Sequence, residues 1–307
     1  MRVTHRVIAD TATMYLMRDL DQLQRVQGRI STGRNYTLIS EDPVATTQIV
    51  HFEGQIAETE QYRRAVDSGL VWNEMTSSVL TQVEELLMEI LDVSEQLSHA
   101  SATSGERAQG ASTLNSLLEE LVMAANRQFK GKYLFGGTET LTVPFTANTD
   151  AAGVFISGVS QNPDGIGGVW GHLVSEVDTV EINTPGDEVF QPSGAGAVND
   201  VFQVVVRLRQ ALAAHDFSAM GLEEERLREA VLHVADINAG LGNRLNHLER
   251  IGEDLDMLAL DYDEQRSKLE DTDIAKALVE FNIAESVYQA ALASTARILR
   301  LSLVNFM

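Results

Sequence analysis

Seven histidines, a few close carboxylate pairs and one glycine-rich run are the residues of this 307-residue chain whose types offer chemistry. His5, His51, His99, His172, His215, His233 and His247 are scattered. No two stand four apart, the spacing that presents both rings to one metal ion from a helix. They read as solvated or packed side chains. Asp261, Asp263, Asp271 and Asp273 are near enough in sequence for an acid/base pair or a cation. Asp271 and Thr272, however, precede an apolar periodic run, where such residues cap a helix start. The run Asn162-Pro163-Asp164-Gly165-Ile166-Gly167-Gly168 resembles a phosphate loop only in its glycines. It lacks the Gly-Lys-Ser/Thr ending and a following helix, and EF-hand spacing is absent as well. It reads as a turn. No cysteine occurs, which removes disulfides, thiol catalysis and thiolate metal sites together. No catalytic residue, cofactor or metal is expected, and the chain is read as a non-enzyme.

The charge narrows the partners. Acids outnumber Lys and Arg 45 to 23, giving a net charge of −22. Phosphate-backbone affinity needs clustered cations, so nucleic acid is not an expected partner. Docking on an anionic membrane is disfavoured for the same reason. No uncharged apolar stretch approaches the roughly 18 residues of a membrane helix, and no apolar h-region follows the N-terminus. A secretory signal peptide is therefore not expected.

The elements that must carry the function are helices interrupted once. Four of the five prolines lie between Pro144 and Pro192, and twelve of the 22 glycines between Gly131 and Gly196. No Lys or Arg occurs between Lys132 and Arg207. Short β-branched and aromatic runs such as Val154-Phe155-Ile156 and Val180-Glu181-Ile182 alternate there with turn signals. The shifts mark residues 137–197 as a separate, acidic, mostly antiparallel β domain; if it is peripheral, truncating residues 138–197 should be far better tolerated than disrupting the terminal seams. Outside it, Leu80, Val83, Leu87, Ile90, Ser94 and Leu97 line one helix face at alternating spacings of three and four. Leu114, Leu118, Leu121 and Ala125 line a second helix, expected to run to about Lys130. Val231, Val234, Asn238, Leu241, Leu245, Leu248, Gly252 and Leu255 line a third. The fold class is mainly α with a β-rich insert: a long antiparallel helical bundle built from both termini, carrying the small β domain. Residues 41–136 and 198–264 form the helical rod, and 1–40 with 265–307 form paired terminal coiled-coil helices.

The terminal segments carry seams of their own. Ile274, Leu278, Phe281, Tyr288, Leu292, Leu299 and Phe306 hold a heptad alternation, with Ala277, Ala284, Ala291 and Ile298 seven apart beside it. Leu16, Leu20, Leu23 and Ile30 form a shorter match, in a helix expected to stop at Gly33. Another starts at Asp42-Pro43, with Asp42 as N-cap and proline at the first helical position. A terminal seam needs a partner, either the other end of the chain or a neighbouring copy. These apolar positions are the expected assembly interface.

Gln27-Gly28-Arg29-Ile30-Ser31-Thr32-Gly33-Arg34, then Ser40-Glu41-Asp42-Pro43-Val44-Ala45, resembles the N-terminal signature of the flagellin superfamily, in its hook–filament junction branch. Glu41 departs from that branch's Asp. Tyr133-Leu134-Phe135-Gly136-Gly137-Thr138 resembles the family's entry into its β domain. Gly242-Asn243-Arg244-Leu245-Asn246 and Leu269-Glu270-Asp271-Thr272-Asp273-Ile274-Ala275 are similar to its return helix. Tyr288-Gln289-Ala290-Ala291-Leu292-Ala293-Ser294 is similar to its tail. Together these cover about half the chain. The resemblance implies a structural subunit joining the hook, through hook-associated protein 1, to the flagellin filament. It implies export unfolded from the cytoplasm through the flagellar channel, with a cytosolic chaperone on the C-terminal helix beforehand. Neighbouring copies, hook-associated protein 1 and flagellin are the implied partners outside the cell. Two other functions stay open: a flagellin-type filament subunit, and a secreted coiled-coil adhesin whose β domain binds a ligand.

Overall fold

The computed structural model describes residues 2–36, 40–98, 103–176 and 178–304, with side chains as far as Arg297 in the last helix. The order is α1 (Arg2–Thr32), α2 (Pro43–Leu97), α3 (Ser104–Ala125), β1 (Gln128–Phe129), β2 (Lys132–Tyr133), β3 (Phe145–Thr149), β4 (Ile156–Gln161), β5 (Gly171–Leu173) and β6 (Thr179–Glu181). Then come α4 (Gly186–Phe190), α5 (Val201–Ala214), α6 (Phe217–Glu270) and α7 (Ile274–Val304). The fold is mainly helical. Its strands form three two-stranded antiparallel pairs, β1–β2, β3–β4 and β5–β6.

Local chemistry sets the helix boundaries. α1 stops where Gly33 takes φ +71° and its N–H returns 2.9 Å to the Arg29 carbonyl. α2 starts on Asp42, whose carboxylate accepts from the N–H groups of Val44 at 3.1 Å and Ala45 at 3.0 Å. α3 opens with a reciprocal capping box. Thr103 accepts from the Glu106 N–H at 3.2 Å, and Glu106 accepts from the Thr103 N–H at 2.6 Å. It ends at Ala125 rather than near Lys130. Lys130 and Gly131 both take positive φ there and turn β1 back onto β2.

The chain divides into two compact units, residues 1–58 with 257–307, and residues 59–256. In the larger unit the three apolar stripes turn inward onto two buried clusters, with Leu248 and Leu255 of the third stripe in the smaller one. Leu80, Val83, Leu87, Ile90, Leu114, Leu118, Leu121, Val234, Leu241 and Leu248 are all buried. The polar members are satisfied across the helices: Ser77 donates to Asn238 at 2.7 Å, and Ser94 to Glu224 at 2.6 Å.

Strands β3 and β4 share the larger cluster, while Val180 of β6 packs in the smaller one with Leu248 and Leu255. Phe145, Ile156, Val159, Ile166, Ile182, Val189 and Phe190 belong to one buried cluster with the residues of α2, α3 and α5. Asn115 of α3 accepts from the Ile156 N–H at 2.9 Å and from the buried Arg209 of α5 at 2.6 Å. The Arg209 guanidinium also lies 4.8 Å from the Phe155 ring centre. Gly137, at φ +58°, lets the chain enter this layer, since a Cβ there would run into the carbonyl oxygens of Ile166 and Gly167. Arg244 donates to the Asn183 carbonyl at 3.2 Å, which gives it a structural contact inside this unit.

Candidate functional site

In the smaller unit α1 and α7 run antiparallel against one another. Arg34 and Asp271 form an isolated antiparallel bridge, and Arg29 pairs with Glu280 at 2.6 Å. The turn between α6 and α7 is held to the end of α1 by the two backbone bonds of that bridge and by two side-chain bonds. The Asn35 N–H donates to the Glu270 carbonyl at 2.6 Å, and the Thr272 N–H to the Gly33 carbonyl at 2.8 Å. The Asn35 amide donates to the Asp271 carbonyl at 2.7 Å, and the Thr272 hydroxyl to Asn35 Oδ1 at 2.9 Å. These bonds take Thr272 out of the capping role expected for it, and the Asp271 carboxylate accepts from Ser267. The cap of α7 is Asp273, which accepts from the Lys276 N–H at 3.1 Å.

The buried line of this helix pair is the small-residue stripe. Ala277 is 2% exposed and Ala284 8%, with Thr295 continuing the line and Val26 buried on α1. Small side chains permit close helix approach, so the alanines turn inward. The heptad frame beside them is left outward. Ile274 is 44% exposed, Leu278 47% and Leu292 49%, joined by Val279, Ile283 and Val287. Phe281 and Tyr288 are half-buried, as are Leu16, Leu20, Leu23 and Ile30 on α1. Met14, Tyr15 and Met17 are exposed. Leu299 lies outside the residues with described side chains, and Phe306 outside the described residues altogether. The result is exposed apolar residues on two flanks of α7, Ile274, Leu278 and Leu292 on one and Val279, Ile283 and Val287 on the other, on an otherwise strongly acidic chain. A groove of about 950 Å³ runs along the pair, lined by Val26, Arg29, Glu280, Ile283, Ala284 and Val287 among others. Its lining is mixed, with Asp19, Asp21 and Arg25 beside Val26, Ile283, Ala284 and Val287.

The residues first considered for chemistry are dispersed. No group of three His, Asp or Glu side chains is placed to hold a metal ion among the described residues. No described helix is long and apolar enough to cross a membrane. His233 Nε2 lies 2.8 Å from the Glu188 carbonyl. His172 packs edge-on against Trp170, ring centres 5.6 Å apart, and Trp170 against Trp72 at 5.4 Å. Burial, and then the charge of Lys132, hold the His172 pKa below its ordinary value. The unfolded chain therefore takes up this proton first as pH falls. The stability contributed by neutral His172 is fully present above its unfolded pKa of about 6.5 and is lost as pH drops through the lower folded value. Both tryptophans of the chain sit in this cluster. Intrinsic emission is expected to fall over that window below pH 6.5, by imidazolium quenching, and the step is expected to vanish in His172→Gln. A titration of fluorescence in both proteins checks it.

A family model for the bacterial flagellin N-terminal helical region matches residues 3–140, and one for the C-terminal helical region matches residues 224–307. The flagellar hook-associated protein 3 of Escherichia coli K12 is 25% identical over 279 residues, covering 86% of this chain and 86% of that protein. Among solved structures, a Vibrio parahaemolyticus chain assigned to the flagellar hook-associated proteins superposes with a TM-score of 0.66 at 18% identity. The match covers 75% of this chain and all of that one. The hook-associated protein 3 of Legionella pneumophila superposes with a TM-score of 0.60 at 16% identity, over 72% of this chain and 98% of its own. At such identities the solved structures establish the shared fold.

Proposed function

This chain belongs to the flagellin superfamily, and from that membership we propose that it is the structural subunit joining the flagellar hook to the filament. Its role is structural, at the junction, and its place is the flagellum. Its nearest contacts are then hook-associated protein 1 on the hook side, flagellin on the filament side, and neighbouring copies of itself. Before assembly it is cytoplasmic, with an export chaperone on α7. It then travels unfolded to the extracellular junction, where α1 and α7 meet their neighbours and no reaction is catalysed. Three divisions follow: paired terminal helices at 1–40 and 265–307, a helical rod at 41–136 and 198–264, and the β-rich insert at 137–197.

One observation supports this reading above the others. The pairing of α1 with α7 uses the alanine stripe and leaves Ile274, Leu278, Val279, Ile283, Val287 and Leu292 outward. A two-helix pair with apolar residues uncovered on two flanks is incomplete by itself, and covering them with neighbours, at about 25 cal/mol per Å² buried, stabilises it only at the site of assembly. Hydrogen exchange tests the idea. In the isolated chain, α1 and α7 are expected to exchange much faster than α3 and α5, and to slow on co-assembly with hook-associated protein 1 and flagellin. Equal protection of all four helices in the isolated chain would overturn it.

A further inference from the structure

We propose that the β1–β2 hairpin docks a second copy of this chain, with Arg127, Lys130 and Lys132 meeting carboxylates of the neighbour's β-rich segment. The inference rests on the reading above, in which copies of the chain adjoin one another. Between Arg107 and Arg207 the chain carries eleven carboxylates, and its three cations all fall in residues 127–132. Two of the chain's four lysines are among them. All three of these residues are exposed. Arg127 donates to the Gln82 side chain at 3.1 Å. Of the eleven carboxylates, Glu181 is the one that forms an ion pair among the described residues, with Arg244 at 3.8 Å. Lys130 and Lys132 form none among those residues, so within one copy the hairpin cations and the carboxylates stay apart. The charges complement one another only between copies.

The hairpin holds its charges in place. Lys130 Nζ lies 5.1 Å from the Phe129 ring centre, and Lys132 Nζ 6.0 Å from that of Trp170, within reach of cation–π attraction. Ammonium groups steadied in this way lose less freedom when a partner arrives. Lys130 also takes φ +49°, a left-handed conformation that asparagine or glycine adopts at lower cost in a hairpin turn. The turn alone does not favour lysine there, and such a cost is sustained where the side chain has a use. Apolar surface adjoins the cations. Trp170 is half-buried, and Val169 before it is 46% exposed. Thr140 accepts from the Tyr133 N–H at 2.8 Å, which brings Leu141, 76% exposed, close to β2. Exposed ion pairs supply register and encounter rate more than affinity. Because cations on one surface meet carboxylates on another, the contact is heterologous and repeats from copy to copy, as a ring or helical assembly requires.

The test uses the full chain alone. Equal amounts of isotopically light and heavy chain are concentrated at low salt and treated with a carbodiimide, which joins a lysine amine to a touching carboxylate as an amide and itself takes up the water. Mixed-isotope peptides linking Lys130 or Lys132 to carboxylates between Glu139 and Glu188 are expected. Their yield is expected to fall about tenfold as ionic strength rises from about 0.01 M to about 1 M, which shortens the screening length from about 30 Å to about 3 Å. Sedimentation equilibrium reads the variants. Lys130→Asn combined with Lys132→Gln relieves the turn and removes both charges, so the chain is expected to be at least as stable yet to self-associate about tenfold more weakly. Arg250→Glu, at an exposed position of α6, is expected to leave association unchanged. Links confined to one isotope, or association indifferent to the double variant, overturns the proposal; the cross-links decide the outcome if that variant is destabilised. No other flagellar protein is needed, so failure here leaves the junction reading standing, and the hydrogen-exchange comparison tests that reading by itself.

Discussion

Leu278→Asp and Leu292→Asp are each expected to abolish incorporation into the junction while leaving the isolated chain folded. Both side chains are close to half exposed in the single chain, so a polar replacement there costs the fold little, within about 0.5 kcal/mol. On the proposed reading a neighbour covers the same position in the assembled state, and a carboxylate buried without a partner is strongly disfavoured. A penalty of about 3 kcal/mol per copy already lowers affinity about a hundredfold, and the defect repeats at every copy. Ala284→Leu makes the informative contrast. Ala284 is 8% exposed on the line between α1 and α7, and overpacking there is expected to cost about 1–3 kcal/mol in the isolated chain. Circular dichroism of the isolated proteins, alongside a motility and filament-attachment assay, separates the two faces. Aspartate variants that still attach filaments would move the interface elsewhere on the molecule.

Which of two neighbouring stripes turns inward was not legible in α7. The frame of Ile274, Leu278, Leu292 and the stripe of Ala277, Ala284, Ala291 share a period of seven, and hydrophobicity alone favours the larger residues for the inside. Steric fit reverses that preference, because α1 approaches closely where the side chains are small. The cap of α7 was displaced for a related reason. Asp271 and Thr272 have the right chemistry to cap it, yet both are taken by contacts with Ser267 and Asn35, and the Asn35 contact is more than 230 residues away in sequence. Signals that depend on a few adjacent residues held: the glycine stop at Gly33, the Asp42-Pro43 start, and the three core stripes. Two others were present and unread. Thr103-x-x-Glu106 is a capping box in plain sequence, and Phe129-Lys130-Gly131-Lys132-Tyr133 places a turn dipeptide between two aromatic residues, enough to end α3 at Ala125.

The same limit applies to residues 137–197, where composition describes a separate domain but packing describes a shared one, and the second large prediction rests on that difference. Phe190 is fully buried. Its ring stands 5.2 Å from Phe135, 5.3 Å from Phe145 and 5.2 Å from Phe202. Those four rings join the segment after β2, strand β3, helix α4 and helix α5. Phe190→Ala is therefore expected to cost about 3–5 kcal/mol, the range for removing a buried aromatic ring. Intrinsic fluorescence reports the loss directly during urea unfolding, since Trp72 and Trp170 both lie in this unit. Deleting residues 138–197 removes Phe145, Ile156, Val159 and Phe190 together and uncovers Phe135, Phe202 and the inner faces of α3 and α5. Since whole domains are stable by only about 5–15 kcal/mol, the truncated unit is expected to lose cooperative unfolding. A truncated chain that unfolds cooperatively with near-native stability, or a Phe190→Ala cost below about 1 kcal/mol, would restore the insert as an independent domain.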